Sequence, residues 1–228
     1  MKKMVISLGG SQIFNNGQIN VKFLDDFKRV ILKNTKNWRF VVVCGGGVVA
    51  RTYIEGLRKI KAIEKLQSYI GISVTRTNAR FMSYYFGDEN YDGIPHKLEE
   101  IGRMLKRKRV VFCGALEYHP KQTSDSTASQ IASYINSEFV NITNVQGLHD
   151  KNPKEHKDAK FIPSISWKEF YKMASKIEFK PGQHFVLDQT AARIIMKNKI
   201  KTYIIGTEIR NLDSILNNKP FHGTIIYG

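Results

Sequence analysis

The chain has 228 residues, 42% of them hydrophobic and 25% charged, with a formal net charge of +16. That is globular composition on a chain long enough to bury a sizeable core, and it excludes a disordered or fibrous protein. Two cysteines, Cys44 and Cys113, with no C-x-x-C spacing exclude a disulfide scaffold and point to a reducing compartment.

In chain order, the first feature is an apolar run at residues 4–8, preceded by Lys2 and Lys3. It is too short for a secretion signal, and no later window is long enough for a membrane span. A cytoplasmic protein without a membrane partner is expected. The run reads as a strand and ends in Gly9-Gly10-Ser11. A second strand at 40–43 runs through Cys44 into Gly45-Gly46-Gly47. A helix follows, with Val49, Ala50, Tyr53, Ile54, Leu57 and Ile60 at helical spacing. Pro95 opens a helix through Leu98, Ile101 and Leu105. A strand at 109–112 then leads to Cys113-Gly114-Ala115. Thr123-Ser124-Asp125 stands before a helix at 126–135 and carries N-cap chemistry.

Strands are predicted at 139–143, 202–205 and 224–227. Residues 149–163 and 175–187 read as polar loops. Asp188 is placed to cap a helix through Ala191, Ala192 and Ile195. Strand–helix alternation with fully apolar strands predicts an α/β fold, a mainly parallel sheet between two helical layers. No internal repeat or linker divides the chain.

Three glycine turns that follow strands fall at the carboxyl edge of such a sheet. There, bare backbone and helix N-termini bind phosphate. Known phosphate motifs narrow the reading. No Walker loop occurs. Gly45-x-Gly47-x-x-Ala50 matches a dinucleotide fingerprint, but the acid expected about 20 residues later is absent, the stretch reading Gln67-Ser68-Tyr69-Ile70-Gly71. The six histidines show no metal-ligand spacing, and there is no Gly-x-Ser-x-Gly elbow. Arg51, one turn into the helix after the triple glycine, can fork onto a phosphate or stand as a surface charge. The high charge reads first as a lysine-rich solvated surface, next as steering of phosphorylated small molecules, and last as a nucleic-acid footprint.

Six strings in order carry a resemblance: Ser-Leu-Gly-Gly-Ser (7–11), Gly-Gly-Gly-Val-Val-Ala-Arg-Thr-Tyr-Ile (45–54), Gly-Ile-Ser-Val-Thr-Arg-Thr-Asn-Ala (71–79), Thr-Ser-Asp (123–125), Ile-Thr-Asn-Val-Gln-Gly (142–147) and Gly-Thr-Ile-Ile (223–226). Together they resemble the amino-acid kinase superfamily, and within it the archaeal-type UMP kinases, almost end to end. The resemblance implies the αβα sandwich of that family as one domain over 1–228. An acceptor half would cover about 1–138 and an ATP half about 139–228.

The resemblance also implies phosphoryl transfer from ATP to UMP with Mg²⁺, and an oligomer, a hexamer by analogy. Nucleic acid is not expected as a partner. ATP is expected along Gly10, Ser11, Gly47 and Arg51 and beside Thr143, Asn144, His149 and Asn152. UMP is expected at Gly46, Ser68, Gly114, Ala115 and the segment His119, Pro120, Lys121, Gln122, Thr123 and Ser124. Arg51 and Asp125 are the expected catalytic residues, Asp125 as an orienting group. No protein metal site is expected. Ser68, Gln146, His149 and Asn152 differ from the family's usual residues. Two competing readings therefore stay open: a kinase of this fold for another acceptor, such as isopentenyl phosphate or a carboxylate, and a nucleotide-binding oligomer that has lost catalysis.

Overall fold

A computed structural model describes residues 1–15, 17–88, 93–119, 122–151, 153, 155–176 and 186–228. The chain runs β1 (Lys2–Leu8), α1 (Gly10–Ile13), a small hairpin β2 (Phe14–Asn15) and β3 (Gln18–Ile19), α2 (Val21–Asn34), β4 (Trp38–Cys44), α3 (Gly47–Lys59), α4 (Glu64–Tyr85), α5 (Leu98–Arg107), β5 (Val110–Cys113) and α6 (Ser124–Tyr134). It continues through β6 (Glu138–Ile142), β7 (Leu148–His149), β8 (Phe161–Ile162), β9 (Ser164–Ile165), α7 (Trp167–Ser175), α8 (Gln189–Lys197), β10 (Thr202–Ile205), α9 (Arg210–Leu216) and β11 (Thr224–Ile226).

One seven-stranded sheet takes the order β5-β4-β1-β6-β10-β11-β9. The first five strands are parallel neighbours, β11 is antiparallel to β10, and β9 runs parallel to β11. Alternation along the strands feeds two cores. Met4, Ile6 and Leu8 of β1 and Phe40, Val42 and Cys44 of β4 pack with Phe27 of α2, Met82 of α4 and Leu212 of α9. Val5, Val41, Val43 and Cys113 face the other layer, with Ile101 of α5, Ile131 of α6, Phe170 of α7 and Ile195 of α8. A strand covered on both faces has no reason to alternate polar and apolar residues, which is why these strands read as continuous apolar runs. The same alternation puts the free thiols Cys44 and Cys113 on opposite faces of the sheet.

The structure adds several elements to the sequence reading. Trp38 and Arg39 join β4 because they pair in register with Lys2 and Lys3 of β1. The stretch expected as one loop at 149–163 contains an antiparallel pairing, His149 with Phe161 and Leu148 with Ile162. Most of the loop expected at 175–187 lies outside the described residues. Among the described residues no helix is long and apolar enough to cross a membrane.

Candidate functional site

Parallel pairing of β5, β4, β1, β6 and β10 sends their carboxyl ends to one edge, and the site grows there. The turns after β1 and β4 are joined backbone to backbone. Gly45 N donates to Leu8 O at 2.9 Å. A Cβ built on Gly10 would stand 2.2 Å from Gly47 N and 2.7 Å from Gly45 O. Gly47 itself has φ +62°, the left-handed region where only glycine sits without strain. Helix α3 begins at this joint. Its N-cap is Gly46, with no side chain to cap the first turn, so α3's leading N–H groups are left for an outside acceptor. Arg51, one turn on, is exposed and makes no hydrogen bond or ion pair with the described residues.

Helix α4 clips the glycine turns in place. Asn78 Nδ2 donates to Gly45 O at 2.8 Å. Thr75 Oγ1 accepts from Ala115 N at 3.0 Å, and Arg76 Nε donates to Ala115 O at 3.1 Å, with a further bond from Arg76 to Leu116 O. A Cβ on Gly114 would meet Thr75 Oγ1 at 2.6 Å, so glycine is what lets this turn lie against α4. The segment then follows α4 backwards, bringing Tyr118 to 5.4 Å from the Tyr69 ring, next to half-buried Ser68. Ser68 thus shares a helix with the residues that hold Gly114 and Ala115. His119 is exposed; Pro120, Lys121 and Asn152 lie outside the described residues.

The start of α6 is bound into a carboxylate cluster. Thr123 Oγ1 accepts from Asp125 N at 3.1 Å and donates to Asp188. The buried Asp188 carboxylate also accepts from Ser126 Oγ at 2.6 Å, Ser126 N at 3.2 Å and Ala191 N at 2.8 Å, so one side chain caps α8 and fastens α6 to it. Gln122 accepts from Gln130 at 3.3 Å, and Ser124 is half-buried. The uncapped helix starts of the site are therefore those of α3 and the short α1; the N–H groups at Asp125 and Ser126 already have partners. Sequence reasoning saw Asp188 only as the α8 cap, because its second set of partners lies about sixty residues away.

Asp125 reaches across to β1, where Ser7 Oγ donates to its Oδ1 at 2.6 Å. Burial pushes the Asp125 carboxyl up to about 7; the Ser7 hydroxyl opposes this and the neighbouring Asp188 charge adds to it. A carboxyl raised in the fold contributes stability that is full below its unfolded value and is lost as pH rises through about 7. Any step that needs the Asp125 carboxylate should instead gain rate over that same rise. Ser7→Ala removes the bond that favours the ionised form, so the rising limb of log kcat/KM should move to higher pH. A limb unmoved by Ser7→Ala would dissociate it from Asp125.

On the other side of β1, Gly9 N donates to Ile142 O at 3.4 Å, bringing the β1 turn beside Thr143. Thr143 is half-buried, with its N–H on Ile205 O at 3.0 Å, and Asn144 is exposed. His149 lies 5.5 Å from the Phe161 ring, which stacks on His222 at 5.2 Å. Phe161 and His222 had no sequence signal; the pairing of β7 with β8 and the approach to β11 assemble this aromatic group. Ser11, exposed, accepts from Gln12 Nε2 at 3.2 Å.

The geometry meets a wide set of known proteins. The model of the "Amino acid kinase family" matches residues 2–206. Among curated proteins, the uridylate kinase of Thermococcus sibiricus is 31% identical over 226 residues, covering 98% of this chain and 99% of that one. That of Thermoplasma volcanium is 32% identical over 220 residues, covering 96% and 95%. Among solved structures, uridylate kinase from Archaeoglobus fulgidus superposes with a TM-score of 0.84 at 32% identity, covering 99% of this chain and 100% of that chain. UMP kinase from Ureaplasma parvum, at 20% identity and TM-score 0.80 over 100% and 99%, shares the fold.

Proposed function

The chain belongs to the amino acid kinase family, and from that premise we propose that it phosphorylates UMP with ATP, giving UDP and ADP. The observation that carries the reading is the doubled glycine joint of Gly10, Gly45 and Gly47, with α3 uncapped by a side chain and Arg51 beside it without a partner among the described residues. Its full-length relatives bear the name uridylate kinase. A UMP phosphate oxygen bonds to the γ-phosphorus as the bond to the β,γ-bridging oxygen breaks, and ADP leaves. The attacking oxygen is already ionised, so no side chain has to take a proton. The protein's task is to align the two phosphates and spread their charge.

In this reading α3's N–H groups, Gly10 and Arg51 receive ATP phosphates with Ser11 and Gly47, and Thr143, Asn144 and His149 flank the rest of ATP. Gly46, Ser68, Gly114, Ala115 and the stretch to Ser124 receive UMP. Mg²⁺ carried with ATP would supply charge neutralisation, and the Asp125 carboxylate, held by Ser7, would act as an orienting group. The acceptor half is about 1–138 and the ATP half about 139–228. The free, buried thiols fit a cytoplasmic setting. An apolar face around α3 and α4, with Val48 44%, Tyr53 55%, Ile60 74%, Ile63 65% and Leu66 50% exposed, fits pairing with a second copy.

ADP release measured against UMP, CMP, isopentenyl phosphate and small carboxylates tests the reading, with UMP expected to give the highest kcat/KM. Turnover of another acceptor alone overturns the UMP assignment, and ATP binding without turnover of any acceptor overturns catalysis. Arg51→Ala should lower kcat/KM for ATP by about 10- to 150-fold, the loss of one charge-assisted contact of about 1.5–3 kcal/mol, with stability unchanged. Wild-type kinetics would return Arg51 to the solvated surface.

A further inference from the structure

The edge of the sheet opposite the nucleotide site gathers a group of basic residues. Across the strand starts, Arg109 O accepts from Phe40 N, Arg39 pairs in register with Lys3, and Lys201 O accepts from Phe139 N. Arg109, Arg39 and Lys3 thus stand at the starts of three adjacent strands, with Lys201 two strands beyond Lys3 across β6, the five strands spanning roughly 19 Å at about 4.8 Å per strand. Lys2 and Lys199 flank them, and the acid of this row, Glu138, is held by Tyr203 Oη at 2.9 Å. Between them opens a cavity of about 580 Å³ lined by Lys2, Lys3, Lys199 and Lys201.

Three features set this edge apart from an ordinary solvated surface. Like charges directly opposed on paired strands, as Arg39 and Lys3 are, work against the sheet, although Lys3 Nζ itself donates to Ile135 O at 2.7 Å. Rings hold two of the ammonium groups in place, Lys2 Nζ lying 5.2 Å from the Trp38 centroid and Lys201 Nζ 5.4 Å from that of Tyr203. Finally, Arg39 Nε and Ser137 Oγ are the buried side-chain polar atoms left without a hydrogen-bond partner among the described residues, and both stand at this edge, Ser137 in the cavity wall. Buried donors without partners are uncommon and mark places where an outside acceptor completes the set.

We propose that this basal rim binds the phosphate backbone of single-stranded RNA. Cations spread over five strands, roughly 19 Å, fit successive phosphates better than one small anion. Trp38 and Tyr203 are buried under the lysines and offer no free face to a base, so recognition is by charge and tolerant of sequence. The nucleotide site opens at the other end of the strands, so RNA and ATP bind together.

Fluorescence anisotropy of the full-length protein with a labelled mixed-sequence 20-nucleotide RNA tests this. Binding is expected to weaken with salt at a slope of about −0.7 per phosphate contacted. Lys2→Glu combined with Lys201→Glu should weaken binding at least about ten-fold and flatten that slope, with kcat/KM for phosphoryl transfer unchanged. Lys168→Glu with Lys172→Glu on exposed α7, an equal change of net charge, should have under a third of that effect on Kd. Equal losses in the two double variants, displacement of RNA by saturating ATP or UMP, or no RNA binding by the parent protein would each overturn the proposal. Competition by free phosphate where RNA fails to bind would assign the cavity to a small anion and overturn it as well.

Discussion

Gly10→Ala should abolish nucleotide binding and lower the melting temperature of the apo protein. The new methyl would lie 2.2 Å from Gly47 N, 2.6 Å from Gly47 Cα and 2.7 Å from Gly45 O. All three are backbone atoms, which cannot swing aside as a side chain does. The turns must part, at a cost of about 1–3 kcal/mol or more. The parting moves the first turn of α3, whose free N–H groups are the proposed phosphate donors, so binding should fall much further than stability. Gly56→Ala is the control. It sits within α3 with nothing within 4 Å of its Cβ, and a helical glycine replaced by alanine should gain roughly 0.5–1 kcal/mol with binding intact. Gly46 is a poorer probe, because its Cβ would meet Ala50 Cβ at 2.4 Å and disturb α3 from within. Calorimetry with ATP on folded Gly10→Ala decides: an affinity within three-fold of the parent would sink the glycine-joint reading.

The contrast between Gly10 and Gly56 shows what the sequence could reveal. Glycine after an apolar run announces a turn at the sheet edge, and the strands at 4–8, 40–43 and 202–205 were readable because burial on both faces leaves an unbroken apolar signal. That two of those turns touch each other was not readable, since it depends on β1 and β4 being parallel neighbours. Helix α4 was harder still. Its buried stripe includes Thr75, Asn78 and Ser83, the side chains that tie down the glycine turns and the residue just past the helix, Asp88, and polar residues facing inward erase the apolar period that marks a helix. The helix that assembles the site thus carried little apolar period. Asp188 was legible as a cap from its place before Ala191, but its bonds to Thr123 and Ser126 needed α6 and α8 to lie side by side.

Asp188→Ala should be the most destabilising single change at the site and should remove activity. Four donors converge on this carboxylate: Thr123 Oγ1, Ser126 Oγ, Ser126 N and Ala191 N. Truncation loses the α8 cap, about 1 kcal/mol, and leaves buried donors unsatisfied at about 1–3 kcal/mol for the first, so a loss of about 3 kcal/mol is expected. Denaturant midpoints at constant m-value would measure it; a loss under about 1 kcal/mol would mean the donors find other partners. Asp188→Asn separates structure from charge. Its carbonyl oxygen still accepts from Ser126 Oγ and Ala191 N and its amide can donate to Thr123 Oγ1; only Ser126 N loses its acceptor, so three of the four bonds keep the helices fastened. The negative charge beside Asp125 disappears, and with it one of the causes that raise the Asp125 carboxyl toward 7. The rising limb of log kcat/KM should therefore move to lower pH in Asp188→Asn, opposite to its shift in Ser7→Ala. Opposite displacements in two folded variants would identify Asp125 as the titrating group, because Ser7 and Asp188 act on that carboxylate with opposite sign. A shift of the same sign in both would place the titration elsewhere.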